Sequence, residues 1–269
     1  MLLRGAAKTV AVVNQKGGVG KTTSVVNLSA ALGMSGKRVL VVDCDPQGNA
    51  TSGFGINRRE VRSCVYDVMM TPPDRDLGEV WGNTIIRTGV RGVELVPATI
   101  NLAGAEVTLA TAIARETKLR RALESMSKSY DIILIDTGPS LGLLTINALA
   151  AAHSVLVPIQ CEYYALEGLS QLLDVVHLVQ GQINPTLAVE GIILTMYDGR
   201  TSLSRQVAKE VRRHFRGRVF TVTIPRNVRL AEAPSHGLPG ILYDPQSRGA
   251  RAYVNLAREV FGHAAQRTG

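Results

Sequence analysis

Glycines and lysines near the start of the chain are spaced to bind phosphate, in the stretch Lys16-Gly-Gly-Val-Gly-Lys-Thr-Thr23. Glycines allow a turn in which successive N–H groups point at one anion, and a following helix adds the positive end of its dipole. Lys21 would reach the β- and γ-phosphates of a nucleotide, and the Thr22 hydroxyl would ligate Mg²⁺. The predicted nucleotide-binding residues of this loop are Gly17, Gly18, Val19, Gly20, Lys21, Thr22 and Thr23.

Acidic residues follow two of the apolar runs. Asp43 and Asp45 come directly after Val39–Val42, and Asp136 ends the run Tyr130-Asp-Ile-Ile-Leu-Ile-Asp136. Ligands of α/β proteins bind at the carboxyl ends of the strands, so these carboxylates are expected beside the phosphate loop. Asp136 is the Walker B residue that would hold Mg²⁺ through a water molecule. For Asp43 and Asp45, a pair of turn-capping carboxylates is the alternative.

Short β-branched runs alternate with helical patterns along the chain, which predicts a doubly wound, mostly parallel β-sheet flanked by helices, as in P-loop NTPases. The run Val10–Val13 leads into the phosphate loop, and a helix over 22–34 follows it. No linker, low-complexity tract or long repeat divides residues 1–269, so a single ATPase domain is predicted. Further strands are predicted over 39–42, 84–87, 93–96, 130–136, 155–160, 187–196 and 219–224. Further helices are predicted over 61–70, 102–114, 118–126, 141–152, 166–180, 202–215 and 247–264.

The phosphate loop departs from the strict Walker A pattern, because Gln15 stands at the place of its first glycine. With Lys16 at its start it resembles the deviant Walker A loop of the ParA/Soj partitioning ATPases, MinD and the nitrogenase iron protein. The stretch from Gln160, Q-C-E-Y-Y-A-L-E-G-L, is similar to chromosomal ParA/Soj proteins and much less like MinD. The chain is therefore identified as a member of the ParA/Soj family.

This resemblance implies a role for several residues. Lys16 would cross a dimer interface to the partner's nucleotide, Asp43 would belong to the outer shell of Mg²⁺, and Asp45 would orient the attacking water. The predicted catalytic residues are thus Lys16, Lys21 and Asp45, and the predicted metal-site residues are Thr22, Asp43 and Asp136. The family's second switch usually reads D-x-P-P-S, whereas this chain has Gly138 for the first proline. Pro225 and Asn227 are candidates for the adenine pocket.

Basic charge is concentrated in one segment of the chain. The whole chain has a formal net charge of +8, and residues 200–229 hold nine basic residues and one acid, Glu210. In a helix over 202–215, Leu203, Val207, Val211 and Phe215 would pack, and cations would line the opposite face. By resemblance, Arg200 and Arg229 flank this helix as DNA-binding residues. The predicted DNA-binding set is Arg200, Arg205, Lys209, Arg212, Arg213, Arg216 and Arg229.

Several classes of protein are disfavoured. Cys44, Cys64 and Cys161 are too far apart for a zinc site and fit buried thiols, and no cysteine follows Asp136 closely enough for the iron–sulfur branch of the family. Met1–Lys8 lacks the apolar run of a signal peptide, and no run of about 18 apolar residues suggests a membrane span. A cytoplasmic, nucleoid-associated protein is expected.

The resemblance implies a function with ATP and Mg²⁺ as cofactors. An ATP-bound homodimer binds double-stranded DNA non-specifically, and a ParB/Spo0J-type centromere-binding partner stimulates its weak ATPase. One alternative is a MinD-like regulator on a membrane, which needs an amphipathic C-terminal helix; the tail Phe261–Gly269 has one large apolar residue and no lysine. The second alternative is a metabolic P-loop enzyme that transfers phosphate to a small acceptor. Such an enzyme would be recognised because a small molecule, and not DNA or a protein, raises its turnover. A solubilising charged face is the alternative to DNA binding for the basic segment.

Overall fold

A seven-stranded sheet forms the centre of the computed structural model, which describes residues 6–72, 75–163 and 165–262. The strand order is β3-β4-β2-β5-β1-β6-β7, and every pairing is parallel except the antiparallel edge pair β3–β4. This confirms the predicted doubly wound, mostly parallel sheet. The strands are β1 (Lys8–Val12), β2 (Val39–Cys44), β3 (Ile86–Arg87), β4 (Val93–Val96), β5 (Ile132–Thr137), β6 (Ser154–Gln160) and β7 (Ala188–Thr195).

Helices cover both faces of the sheet. Strand side chains alternate between the faces, so Val10 and Val12 pack with α1 and α12, whereas Ala11 packs with α7 and α8 on the other face. Both faces are therefore buried, which explains why the strands are almost wholly apolar. The described helices are α1 (Lys21–Met34), α2 (Asn49–Gly53), α3 (Val65–Met70), α4 (Leu77–Thr84), α5 (Asn101–Ala110), α6 (Lys118–Glu124), α7 (Leu143–Ala151), α8 (Ala165–Gln182), α9 (Ser202–His214), α10 (Val228–Glu232), α11 (Gly240–Tyr243) and α12 (Arg248–Gly262).

The register of the central strands brings the predicted catalytic segments together. Asp136 of β5 pairs in register with Val12 of β1 on one side and with Asp43 of β2 on the other. The carboxyl end of β1 continues into the glycine loop, and α1 begins at Lys21. Gly18 and Gly20 have φ angles of 74° and 89° in this loop, a conformation that glycine adopts without steric cost.

Some predicted elements differ from the structure. The predicted strand over 219–224 is wrong: these residues form only an isolated bridge from Val219 to Ile192, followed by one from Pro225 to Tyr197. Ile224 is buried and Phe220 and Val222 are half-buried, so the segment completes a core beside β7 without pairing along its length. The predicted helix over 61–70 is also too long, since α3 begins only at Val65.

The structure also bears on the expectations about the cysteines and about a membrane span. All three cysteines are free and buried, as predicted. Among the helices of the described residues, none combines the length and the apolar character needed to span a bilayer. Residues 1–5 and 263–269, on which the expectations about a signal peptide and the C-terminal tail partly depend, lie outside the described residues.

Candidate functional site

A cavity of about 400 Å³ opens at the carboxyl end of the sheet, directly over the glycine loop. Gly17, Gly18, Gly20, Thr22 and Thr23 line its floor, and Asp45 and Pro139 approach it from the loops after β2 and β5. Val19 is turned inward instead: its side chain is buried, and its carbonyl accepts a hydrogen bond from Thr195 Oγ1 at 2.8 Å. The loop residues predicted from sequence therefore share one cavity, with Val19 anchoring the loop to β7.

The two lysines of the loop have different surroundings. Lys21 is buried and lines the cavity, and its ammonium donates to the Lys16 carbonyl at 3.0 Å. Burial lowers the pKa of Lys21, and the nearby Asp136 carboxylate opposes that shift. Lys16 points outward, half-exposed, and pairs with Glu162 at 2.9 Å. Lys21 is thus placed for a ligand in the cavity of its own chain, and Lys16 is not.

Asp136 is the carboxylate with unused hydrogen-bonding capacity. It is fully buried, yet neither of its oxygens accepts a hydrogen bond within the described residues. Burial and the nearby Asp43 raise its pKa well above the usual range, while Thr22 and Lys21 oppose the rise. Uncompensated buried oxygens of this kind are costly and fit a site that a hydrated cation completes.

Asp43, in contrast, is already hydrogen-bonded within the protein. Its Oδ2 accepts from the Thr51 backbone N at 2.8 Å and from the Thr51 hydroxyl at 2.7 Å, and its Oδ1 accepts from the Asp45 backbone N at 3.2 Å. Burial raises the pKa of Asp43 to about 6, against these hydrogen bonds. The described residues contain no group of three or more His, Cys, Asp or Glu side chains able to hold a metal ion. A Mg²⁺ ion here would depend on Thr22, phosphate oxygens and water-mediated contacts with Asp136.

Asp45 lies beside the second switch. It is almost fully buried, and its Oδ1 accepts from the Gln47 backbone N at 3.0 Å. A Cβ atom placed on Gly138 would lie 3.3 Å from the same oxygen. The glycine that replaces the family's usual proline therefore leaves room for this carboxylate.

We expect a Gly138→Ala variant to turn over ATP several-fold more slowly, with unchanged nucleotide affinity, because the added methyl group displaces the Asp45 carboxylate. Phosphate release and fluorescent-nucleotide binding measure the two quantities. Gly82→Ala is the matched control, since a Cβ there meets nothing within 4 Å. Wild-type turnover in Gly138→Ala would contradict this expectation, because the methyl group would then fit without displacing the Asp45 carboxylate.

The structure does not bring the predicted adenine-pocket residues to the cavity wall. Asn227 caps α10, where its Oδ1 accepts from Leu230 N at 3.3 Å, and neither it nor Pro225 lines the cavity. In this loop the chain reaches the cavity only at Leu230, which lies within α10. The wall is formed a few residues later and by the residue after β7; its apolar members are Met196, Leu230, Ala233, Pro234 and Leu238. Leu230, Ala233 and Pro234 belong, like the two predicted residues, to the segment Pro225–His236, which resembles the family's adenine loop.

A basic surface surrounds α9. Lys209, Arg212, Arg213 and Arg216 are exposed, and Thr201 caps the helix, accepting from Ser204 N. The buried side is centred on Ser204, Val207, Ala208 and Val211, so Leu203, predicted to pack, lies at its margin and is 45% exposed. The weak pair between Arg213 and Glu210 is 3.7 Å long.

The three other predicted DNA-binding arginines have partners on their own chain. Arg200 pairs with Asp198, and Arg205 Nη1 donates to the Gly199 carbonyl at 2.7 Å. Arg229 pairs with Glu232 at 2.9 Å and Asp244 at 3.4 Å. Arg226, which lies outside the predicted set, is exposed and close enough to Asp198 to lower its pKa.

Comparisons with known proteins agree on a family. A family model described as an AAA domain (AAA_31) matches residues 7–189. The chain is 58% identical to the sporulation initiation inhibitor protein Soj of Bacillus subtilis, over 94% of this chain and 98% of that protein. It is 51% identical to the chromosome partitioning protein ParA of Myxococcus xanthus, over 94% of this chain and 87% of that protein.

A solved structure has the same fold with nucleotide bound. It is cobyrinic acid a,c-diamide synthase from Mycobacterium smegmatis with a bound ATP analogue and magnesium, with a TM-score of 0.83, 38% identity and coverage of 97% of both chains. The deviant phosphate loop, the cavity above it and the two partitioning relatives agree with one another. The chain belongs to the Soj/ParA family of chromosome partitioning ATPases.

Proposed function

We propose that this chain is a DNA-segregation ATPase with residues 1–269 as one domain. It binds ATP and Mg²⁺, forms an ATP-bound sandwich dimer, and binds double-stranded DNA non-specifically. A ParB/Spo0J-type centromere-binding protein stimulates its weak ATPase and thereby releases it. The cycle takes place in the cytoplasm, on the nucleoid.

One observation carries this proposal: a single strand end connects the cavity and the basic surface. Thr195 at the end of β7 donates to the Val19 carbonyl of the phosphate loop. Met196 lines the cavity with a φ angle of 49°, a strained conformation for a residue with a side chain, and Arg200 follows four residues later. A nucleotide-dependent change at the loop therefore has a short covalent route to the basic surface.

Each part of the site has a proposed role. Lys21 and the N–H groups of Gly17, Gly18, Val19, Gly20, Thr22 and Thr23 bind the phosphates, while Thr22 and Asp136 hold Mg²⁺, which neutralises the charge that develops during phosphoryl transfer. Asp45 orients the attacking water. Asp43 belongs to the outer shell of the Mg²⁺ site, and its Oδ1 accepts a hydrogen bond from the Asp45 backbone N. Lys16 contacts the partner's nucleotide.

The name of the solved relative suggests a metabolic enzyme as the other candidate. The basic surface favours DNA: Lys209, Arg212 and Arg216 are exposed in and just after one helix. Together with Arg213 they make four exposed cations on one side of the helix, which repel one another unless a polyanion neutralises them. No recognition motif is present in the sequence, so the contacts are to phosphates.

We expect Arg200→Glu and Arg229→Glu each to weaken binding to every duplex sequence alike and to make the salt dependence shallower, by about 0.9 in log K per log salt for each phosphate that is no longer neutralised. Fluorescence anisotropy with ATP at several salt concentrations measures both effects. ATP binding and dimerisation should survive, because neither residue lines the cavity.

Arg87→Glu is the matched control for these reversals. Arg87 is 93% exposed and lies on β3, at the opposite edge of the sheet from β7. If the control weakens DNA binding as much as the two variants do, only net charge matters. If both variants bind like the wild type, the basic segment is a solvated face.

A further inference from the structure

We propose that Asp198 limits the affinity of this protein for DNA by neutralising Arg200 in the free protein. The inference rests on the proposed DNA-binding function and adds to it a residue that sets its strength. Asp198 is the only acid between Glu190 and Glu210 in the sequence, and it lies in the loop that leads from the nucleotide cavity to α9.

The ion pair between Asp198 and Arg200 uses two parallel hydrogen bonds. Arg200 Nε donates to Asp198 Oδ1 at 2.9 Å, and Arg200 Nη2 donates to Oδ2 at 2.8 Å. The Arg200 backbone N also donates to Oδ1, at 3.0 Å. The carboxylate occupies one edge of the guanidinium. A phosphate that bound Arg200 would accept the same two hydrogen bonds, so the two anions compete for this edge.

The loop holds Asp198 in place. Its backbone N donates to Ser204 Oγ at 3.1 Å, and its carbonyl accepts from Thr201 Oγ1 at 3.1 Å. Arg205 closes the loop by donating to the Gly199 carbonyl. The carboxylate therefore stays beside Arg200 even if the arginine turns toward DNA.

The charges around Asp198 keep it ionised. Hydrogen bonds from Arg200, with a weaker contribution from Arg226, lower the pKa of Asp198 to about 2. The carboxylate is thus negative at every physiological pH and keeps competing with phosphate for Arg200. Because Arg200 is 91% exposed, the pair itself adds little stability and opens easily.

Removing this negative charge should tighten DNA binding. In Asp198→Asn, Oδ1 still accepts from the Arg200 backbone N, so the turn is kept, while Arg200 can neutralise a phosphate without first breaking an ion pair. Because Arg200 then reaches a phosphate without leaving a carboxylate, binding should strengthen by roughly three- to tenfold per subunit at about 0.15 M salt.

The experiment measures binding of the ATP-bound protein to two unrelated duplexes by anisotropy across a salt series. Asp198→Asn should bind both more tightly than the wild type, and the double variant Asp198→Asn/Arg200→Ala should lose this gain. Glu79→Gln makes the same charge change on α4, before the opposite edge strand, and should change binding little. Asp198→Ser, which can keep the turn through its hydroxyl, replaces Asp198→Asn if thermal melting shows that the latter unfolds.

The outcomes separate this inference from the proposed function. Unchanged binding by Asp198→Asn overturns the inference, and weaker binding does so as well, because Asp198 would then hold Arg200 in position for phosphate. If the wild type shows no ATP-dependent DNA binding at all, the proposed function fails first and the inference fails with it.

Discussion

A Lys16→Ala variant is expected to bind ATP with nearly wild-type affinity and yet to remain monomeric, with hydrolysis reduced by at least about 10³-fold. A cation supplied across an interface to the transferred phosphate contributes factors of about 10³ to 10⁵ in related phosphoryl-transfer enzymes. Lys16 points out of the cavity of its own chain, where its ammonium contacts only the exposed carboxylate of Glu162 in the described residues. Its removal should therefore spare binding and prevent assembly.

The backbone geometry explains why binding should survive. The Lys16 backbone N donates to Asn14 Oδ1 at 2.9 Å, and the Lys16 carbonyl accepts from Lys21. Alanine keeps both contacts, so the loop retains its shape. Lys37→Ala, at an exposed position beyond α1, is the matched control. A normal ATP-dependent dimer of Lys16→Ala in light scattering would contradict the trans role.

An Asp45→Ala variant should form an ATP dimer that persists, with hydrolysis slowed by about 10²-fold or more. Positioning of the water and of nearby charge supplies most of the catalysis in phosphoryl transfer, so loss of an orienting carboxylate affects the chemical step. Thr22, Lys21 and Asp136 are untouched, which leaves ATP and Mg²⁺ bound. Single-turnover phosphate release and the lifetime of the dimer are the measurements.

Asp45→Asn serves as the control for shape in this experiment. It retains an oxygen that can accept from the Gln47 backbone N, and removes only the charge. If Asp45→Ala hydrolyses ATP at the wild-type rate, another residue orients the water. Asp43 is the next candidate, but both of its oxygens already accept hydrogen bonds from Thr51 or the Asp45 backbone.

The sequence predicted the centre of the molecule better than its periphery. Strands buried on both faces must be apolar throughout, and a phosphate loop requires its glycines, so β1, β2, β5 and α1 could be recognised from residue types alone. The segment 219–224 has the apolar residues of a strand as well. It packs in the core without pairing along β7, a difference that only tertiary contacts determine.

The surface of the candidate site was also harder to predict, because its ion pairs and its apolar wall depend on tertiary contacts. The spacing of apolar residues predicted the position of the basic helix. It did not predict which acidic side chains pair with the arginines around that helix. Arg229 pairs with Glu232 one turn away and also with Asp244, which lies farther along the chain. Arg200 pairs with Asp198 through a turn whose conformation depends on Ser204 and Thr201. The apolar cavity wall includes Leu230 within α10 and Pro234 just after it, and residue types alone did not distinguish them from Pro225 and Asn227 in the same loop.

Co-sedimentation of the protein with duplex DNA in the presence of ATP, of ADP or of no nucleotide tests the central claim most directly. Two basic surfaces on one dimer roughly double the phosphate contacts of a monomer. The protein should therefore sediment with DNA in ATP, and much less in ADP or without nucleotide, at moderate salt. Equal sedimentation under all three conditions, or none in ATP, would contradict a nucleotide-switched DNA-binding ATPase.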